Sequence, residues 1–478
     1  MASEMPASVL SSEIIERFAA IVGERHALRD AAAITPFVTE PRGLWGGVSP
    51  LVLRPGSVGE VSDILRLATG TRTAIVPQGG NTGLVGGQMP DQSGAQVILS
   101  LSRLDRIREI DLASNTVTAE AGVVLDALHN AADEVDRLFP LSLGSQGSCQ
   151  IGGNLSSNAG GTGVLAYGNS RELCLGVEVV LPTGEVFDDL RKLKKDNTGY
   201  DLKNLFVGAE GTLGVITAAV LKFFPKPKGR EVAWVGVESP ADALKLFGLA
   251  AERAGASLTA FELIIDRALD FTVTHIPGSI APLASAYPWY VLMEISSGRS
   301  AEDARELIEE VLGEGMEAGL LEDAAIAASL AQAQAFWKLR EAMSESQKPE
   351  GASIKHDISV PVASIPDFID EAWQAVRRLE PEARLVCFGH MGDGNLHYNI
   401  SQPAGGEPGA FLARYEEING AVHSVVRAFN GSISAEHGIG KMKRAELIAT
   451  APPVGIDLMR RVKNAFDPAG IMNPGKMI

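Results

Sequence analysis

From Leu51 onward, short apolar runs alternate with stretches of helical period. LVLRP at 51–55 and TAIVP at 73–77 have the length of strands and end in proline, and residues 58–70 between them carry apolar side chains at helical spacing. Upstream, residues 12–22 predict a helix, followed by an arm that Pro41, Gly43, Gly46 and Gly47 make irregular. RELCLGVEVVLPTGEVF at 171–187 predicts two strands around a Pro-Thr-Gly turn, and another glycine-marked turn and strand end near residue 225. FFPKPKGR at 223–230 reads as a domain boundary stiffened by Pro225 and Pro227. Beyond it the order is strand (231–239), helix (241–254), strands (258–264 and 290–296) and helix (301–319), which suggests a ferredoxin-like sheet with helices on one face. Residues 331–346 predict a helix and 353–362 a strand. RLVCFG (384–389) and NLHYNI (395–400) predict a hairpin.

The chain has 478 residues, 45% hydrophobic and 21% charged, enough for two or three domains of ordinary soluble composition. Its 42 basic and 59 acidic residues give a net charge of −17, which argues against nucleic acid or an anionic membrane as partner. Cys149, Cys174 and Cys387 are few, odd in number and scattered, as in a reducing compartment. MASEMPASVL has no apolar signal core, and no apolar run approaches the roughly 18 residues of a membrane span. These features together lead us to expect a cytoplasmic protein.

Three stretches carry candidate chemistry. PQGGNTGLVGGQ at 77–88 follows a strand and exposes several backbone N–H groups at one place, a nest for phosphate. PLSLGSQGSCQIGGNLSSNAGGTG at 140–163 reads as a buried loop wrapped round an extended polar ligand. HMGDGNLHYNI at 390–400 sets His390 and His397 either side of a tight turn. A hairpin there makes them cross-strand neighbours with Cβ atoms roughly 5 Å apart, suited to one metal. Asn399 shares the strand face of His397. In the helix 331–346, Arg340 and Ser344 are four apart and share a face, while Lys355, Asp357 and Ser359 alternate on one side of the next strand. An arginine and a lysine on facing elements suit a carboxylate. Glu436 and His437 sit in an irregular, glycine-bounded stretch, and a terminal Asn-Pro-Gly such as NPGKMI often packs back into a site.

PQGGNTG, GSQGSCQIGGNLSSNAGG and NLFVGAEGTLGVIT together resemble the FAD-binding domain of the vanillyl-alcohol oxidase superfamily over most of residues 50–225. The resemblance implies an α+β fold: a two-subdomain FAD-binding domain (50–228) after the N-terminal arm (1–49). A ferredoxin-like cap or substrate domain (229–430) and a C-terminal segment (431–478) returning to the flavin complete it. It implies FAD held by backbone donors, with Gly79, Gly80, Asn81, Thr82 and Gly83 at the pyrophosphate, flanked by Pro77 and Leu84. Gly144, Ser145, Ser148, Gly152, Gly153, Asn154, Ser157, Asn158 and Gly161 line the flavin on this reading, Gly211 and Ile216 lie near the adenine end, and Asn473 joins from the C-terminus. Relatives that attach FAD covalently use a histidine in the first loop; Asn81 and Thr82 stand there, which implies non-covalent FAD.

Arg340, KHDISVP, GHMGDGNLH, AEHGIG and NPGK resemble the D-2-hydroxyacid dehydrogenases of this superfamily, most closely those acting on D-2-hydroxyglutarate. By that resemblance His390, His397 and Glu436 bind a divalent metal, zinc being the expected ion. Arg340, Ser344 and Lys355 hold the distal carboxylate, while Asn399 and His437 contact the 2-hydroxyacid end, with His437 the candidate general base. Threonine stands in the family where this chain has Ser344, which leaves substrate length open. A D-lactate, glycolate or D-malate dehydrogenase of the same family is the alternative; the Arg340–Lys355 pair argues for a dicarboxylate. The metal-like trio argues against a flavin enzyme without net redox, such as an ether-lipid synthase. The convergence of polar residues argues against a non-catalytic FAD-binding protein. An electron-transfer flavoprotein or a quinone is the acceptor class the resemblance offers, and oligomeric state stays open, a homodimer being the assembly to test.

Overall fold

The computed structural model describes residues 10–40 and 42–478, and it divides into two compact units. Unit 1 comprises residues up to Gly160, Asn169–Pro225 and His437–Ile478; unit 2 comprises Gly161–Gly168 and Lys226–Glu436. Unit 2 thus begins at Lys226 rather than 229, takes in Gly161–Gly168, and ends at Glu436 rather than 430.

Unit 1 contains two larger sheets and a two-stranded one that pairs Arg137–Leu138 with Phe224–Pro225. The first has the order β1 (Ala27–Leu28), β2 (Val52–Leu53), β4 (Gln96–Ser100), β3 (Ala74–Gln78), with β2, β4 and β3 mutually parallel. Helix α1 (Ser12–Val22) starts at Ser11, whose side chain accepts from the Ile14 N–H. It packs with α3 (Val58–Thr71) against this sheet through Phe18, Ile64, Leu65 and Leu99. The arm expected to be irregular holds a further helix, α2 (Ala31–Val38), started by Asp30, which accepts from the Ala32 and Ala33 N–H groups. Pro36 inside it masks the helical pattern in the sequence. Pro41 of the same arm lies outside the described residues. The second sheet is antiparallel, in the order β5 (Ile107–Asp111), β6 (Thr116–Glu120), β9 (Val215–Lys222), β7 (Cys174–Val180), β8 (Val186–Asp189). The chain's end packs on the outer strand of the first sheet: Ile75 donates to Ile471 and accepts from Asn473, both at 2.8 Å. The expected return of Asn-Pro-Gly is therefore a main-chain strand-like pairing.

Unit 2 is built on one antiparallel sheet in the order β13 (Asp323–Ile326), β10 (Gly229–Val237), β12 (Trp289–Ser297), β11 (Leu258–Ile265), β16 (Arg384–His390), β17 (Asn395–Ser401), β14 (Ser353–Ile354), with β15 (Asp357–Ser359) also on β17. Its first four strands have the 4-1-3-2 order of a ferredoxin-like unit, and the remaining strands extend it. Helices α5 (Pro240–Ala254), α7 (Ala301–Glu317), α9 (Ile365–Leu379) and α10 (Tyr415–Ala428) bury apolar side chains on one face of the sheet, around Phe261, Phe368 and Tyr398. The opposite face is not bare, as a ferredoxin-like sheet predicted. Helices α6 (Asp266–His275) and α8 (Leu330–Ala342) cover it around Trp234, Phe336 and Phe388. The predicted strand 353–362 breaks at Lys355 and His356. His356 turns inward, its backbone carbonyl accepting from the Tyr398 N–H and its ring Nδ1 lying 2.7 Å from the Tyr398 carbonyl. No helix among the described residues is long and apolar enough to cross a membrane.

Candidate functional site

In unit 1, the loop after β3 and helix α4 (Ile151–Ser157) help to line an open cavity. Pro77, Gly79, Gly80, Asn81, Thr82, Gly83, Gly152, Gly153, Asn154, Ser157, Gly211 and Ile216, all candidate cofactor residues, line it. Among the described residues no lysine or arginine does, so an anionic group there meets backbone N–H groups and the amide side chains. The glycines have separate reasons. A Cβ on Gly80 would stand 1.9 Å from the Ser148 carbonyl oxygen, whereas one on Gly153 would meet nothing within 4 Å. The first packs two loops together, and the second leaves room for a ligand. Gln78, Asn81 and Gln150 line the cavity, and each has a buried amide oxygen with no partner among the described residues. Buried acceptors are normally satisfied, and a nucleotide's hydroxyl and amino donors fit them. The residues present therefore fit FAD.

Other expected cofactor residues lie outside that lining. The Leu84 carbonyl accepts from Arg42. Gly144 and Ser145 belong to the turn before α4, where the Ser145 carbonyl accepts from the Ser148 and Cys149 N–H groups. The Ser148 hydroxyl also donates to the Ser145 carbonyl. Asn158 ends α4 in the left-handed conformation and its side chain accepts from the Arg171 N–H. Gly161 belongs to unit 2. Asn473 braces the cavity's frame, donating to the Gly87 and Glu210 carbonyls at 2.9 and 2.8 Å. Glu210, which the sequence reading passed over inside GAEGTLG, lines the cavity and accepts from the Ile439 and Gly440 N–H groups at 2.7 Å each. Burial pushes its carboxyl up, against those two bonds. It pins the stretch that begins with His437, and His437 lines the same cavity.

In unit 2, β-sheet register assembles a second site. His390 is not directly opposite His397, as a simple hairpin predicted. The turn is a helical one (Met391–Asp393) and pairs Phe388 with His397, so the two histidines are diagonal, their ring centroids 5.9 Å apart. Opposite His390 across β11 stands Glu262, which the sequence reading missed. Its Oε1 lies 2.6 Å from His390 Nδ1, and its Oε2 accepts from Arg340 Nε at 2.8 Å. Glu262 is buried, which raises a carboxyl's pKa, yet His390 and Arg340 hold it down at about 2. Burial lowers His390, but Glu262 and Glu436 override it and push it up to about 9.

Glu436 is positioned by its backbone: its N–H donates to Asp357 Oδ2 at 3.0 Å, and Asp357 Oδ1 accepts from Asn395. Its Oε1 accepts from the Gly161 N–H at 2.6 Å and lies 3.6 Å from His390 Nε2. One ligand atom from each of His390, His397 and Glu436 falls within 4.8 Å of the others. Two imidazoles and a carboxylate form a set zinc accepts in catalytic sites, and a carboxylate behind the first imidazole is the usual outer support. The donor set fits a divalent metal.

Arg340 is buried on this same face, its guanidinium 4.8 Å from the Phe388 ring centre. Asn399, two residues from His397, is buried in the same strand. Ser344 and Lys355 are placed differently from expectation. Helix α8 ends at Ala342, so Ser344 does not share a helical face with Arg340 and is exposed. Lys355 sits in the strand break, exposed, and donates to the Ser344 carbonyl at 3.0 Å.

Residues 226–477 match the family of FAD linked oxidases, C-terminal domain, and residues 49–189 match an FAD binding domain. The chain is 37% identical over 476 residues to the mitochondrial D-2-hydroxyglutarate dehydrogenase of Arabidopsis thaliana, covering 98% of this chain and 82% of that protein. It is 35% identical to a putative mitochondrial D-lactate dehydrogenase of Schizosaccharomyces pombe, covering 98% of this chain and 90% of that one. The fold is similar to that of p-cresol methylhydroxylase, with a TM-score of 0.77 at 14% identity, covering 99% and 98% of the two chains.

Proposed function

The chain belongs to the FAD-linked oxidase family that includes the D-2-hydroxyglutarate dehydrogenases, and from that premise we propose that it oxidises a D-2-hydroxyacid, D-2-hydroxyglutarate foremost, to the 2-oxoacid. It does so with non-covalent FAD and one divalent metal, for which zinc is the expected ion. The observation that carries this reading is the trio His390, His397 and Glu436, with ligand atoms within 4.8 Å of one another in unit 2. Bound there, a divalent ion supplies Lewis acidity to a substrate oxygen. Bound in unit 1, FAD supplies a two-electron acceptor.

The protein's own residues supply the rest. Glu262 and Asp357 keep His390 and Glu436 facing a common point. Arg340 gives a carboxylate a fixed guanidinium fork. His437 accepts the hydroxyl proton, and Glu210 fixes the backbone that carries it. In the cavity, backbone N–H groups along Gly79–Gly83 hold phosphate. Electrons leave to an electron-transfer flavoprotein or a quinone.

A second reading is D-lactate or another monocarboxylate as substrate. It is favoured by Arg340 already being paired to Glu262, by exposed Lys355 bonded to the Ser344 carbonyl, and by likeness to the putative D-lactate dehydrogenase. The test is dye reduction by purified yellow protein on D-2-hydroxyglutarate, D-malate, glycolate and D-lactate, with acid precipitation of the same sample. D-2-hydroxyglutarate giving the highest kcat/KM, with FAD released into the supernatant, is the expected result. A preference for D-lactate establishes the second reading, reduction by none of the four refutes both, and colour kept in the pellet refutes non-covalent FAD.

A further inference from the structure

We propose that Glu262 is a positioning residue whose single buried carboxylate orients both a metal-ligating histidine and a substrate-holding arginine. The inference rests on the reading of His390, His397 and Glu436 as a metal site. Glu262 stands inside β11, is only 1% exposed, and is paired in register with His390 on β16. Its Oε1 is 2.6 Å from His390 Nδ1, while its Oε2 is 2.8 Å from Arg340 Nε and 2.7 Å from Arg340 Nη2. A carboxylate in the middle of a sheet is expensive to bury unless its partners are held in good geometry. A leucine would serve packing alone.

The geometry gives each partner something specific. With Nδ1 engaged by Glu262, the imidazole of His390 cannot turn over, and Nε2 is the nitrogen that faces Glu436, 3.6 Å away. A carboxylate behind a ligating histidine also makes the imidazole a better donor. Arg340 is held from the other side, with its guanidinium over the Phe388 ring, 4.8 Å from its centre. Its Nε is thereby committed to Glu262, and any substrate carboxylate must be met by its terminal nitrogens. The metal ligand on β16 and the carboxylate anchor on helix α8 are thus fixed relative to one another by one side chain on β11. A change at Glu262 must therefore alter metal affinity and dicarboxylate KM together. A residue that only stabilises the fold would alter neither in protein that remains folded.

The experiment uses the full, flavin-loaded chain stripped of metal. Zn2+ affinity is measured by competition with a chromophoric chelator for wild type, Glu262→Gln and His390→Ala. KM is measured on D-2-hydroxyglutarate and on D-lactate. We expect Glu262→Gln to bind Zn2+ about 10–100-fold more weakly, with flavin content unchanged and KM raised for the dicarboxylate more than for D-lactate. Equal Zn2+ affinity of Glu262→Gln and wild type overturns the proposal. Wild type binding Zn2+ no better than His390→Ala overturns instead the metal reading on which it rests. If Glu262→Gln does not accumulate as folded protein, Glu262→Asp carries the test. A carboxylate one methylene shorter cannot keep both contacts, so Zn2+ affinity must fall; an unchanged affinity overturns the proposal.

Discussion

The cavity of unit 1 is walled by glycines and amide side chains, with no lysine or arginine among the described residues that line it. The site of unit 2 gathers Glu262, Arg340, His390, His397 and Glu436, each charged or able to ligate a metal, around one face of a sheet. The first is a backbone site, built by where side chains are missing. The second is a side-chain site, built by where the sheet's register places them. The two should fail in opposite ways, one when an atom is added and the other when atoms are removed.

The sharpest break of this comparison is His397→Ala. On the proposed metal reading, removing one of the trio takes away Lewis-acid help worth several kcal/mol, so kcat should fall by about 10³–10⁴-fold at 1.36 kcal/mol per tenfold. The protein should remain yellow, because no residue of the trio lines the flavin cavity. His437→Ala makes the contrast: it should lose about 10²–10⁴-fold in kcat while binding added Zn2+ as tightly as wild type. Full activity after prolonged chelation, with no metal found by elemental assay, would falsify the metal-site half of the comparison.

Arg340→Met has the next largest effect. On a dicarboxylate, kcat/KM should drop by about 10²–10³-fold, equivalent to roughly 3–4 kcal/mol, and on D-lactate by much less. The structure adds a control. The substitution also leaves Glu262 with only His390 as counter-charge, so an equal loss on both substrates, with a lowered Tm, would assign Arg340 to the fold instead.

This contrast also explains what the sequence disclosed. The candidate phosphate loop is local: Pro77 to Gly83 are consecutive, and the turn that exposes their N–H groups follows from the glycines themselves. The ferredoxin-like order was legible because each strand and helix carries its own periodicity. Glu262 was not legible. It is 128 residues from His390 along the chain, in a run of apolar residues, and only the pairing of β11 with β16 gives it meaning. Ser344 was misplaced because helical spacing says nothing about where a helix stops, and α8 ends at Ala342. Lys355 was misplaced because His356 turns inward toward Tyr398 and breaks the strand's alternation. Helix α2 was hidden by Pro36.

The smallest expected effect tests the backbone side of the comparison. Gly80→Ala adds one methyl group, and the change touches no charged atom. At the observed geometry its Cβ would stand 1.9 Å from the Ser148 carbonyl oxygen, far inside contact distance, and backbone cannot yield as a flexible side chain does. The loop carrying Gly79–Gly83 must shift, and overpacking of this kind costs about 1–3 kcal/mol. Because the same loop lines the cavity, part of that cost should appear as weaker FAD binding, about 5- to 100-fold. Gly153→Ala is the matched control in the same cavity. Its Cβ would meet no protein atom within 4 Å, so any loss of FAD there reports contact with the cofactor and not a clash between loops. The measurement is FAD retention during dilution and gel filtration, with Tm recorded for apo and loaded protein. Gly80→Ala should lower both Tm values, and Gly153→Ala should lower only the loaded one. If Gly80→Ala keeps its FAD and its Tm, the first loop is more adaptable than this packing allows, and the two sites are not opposites.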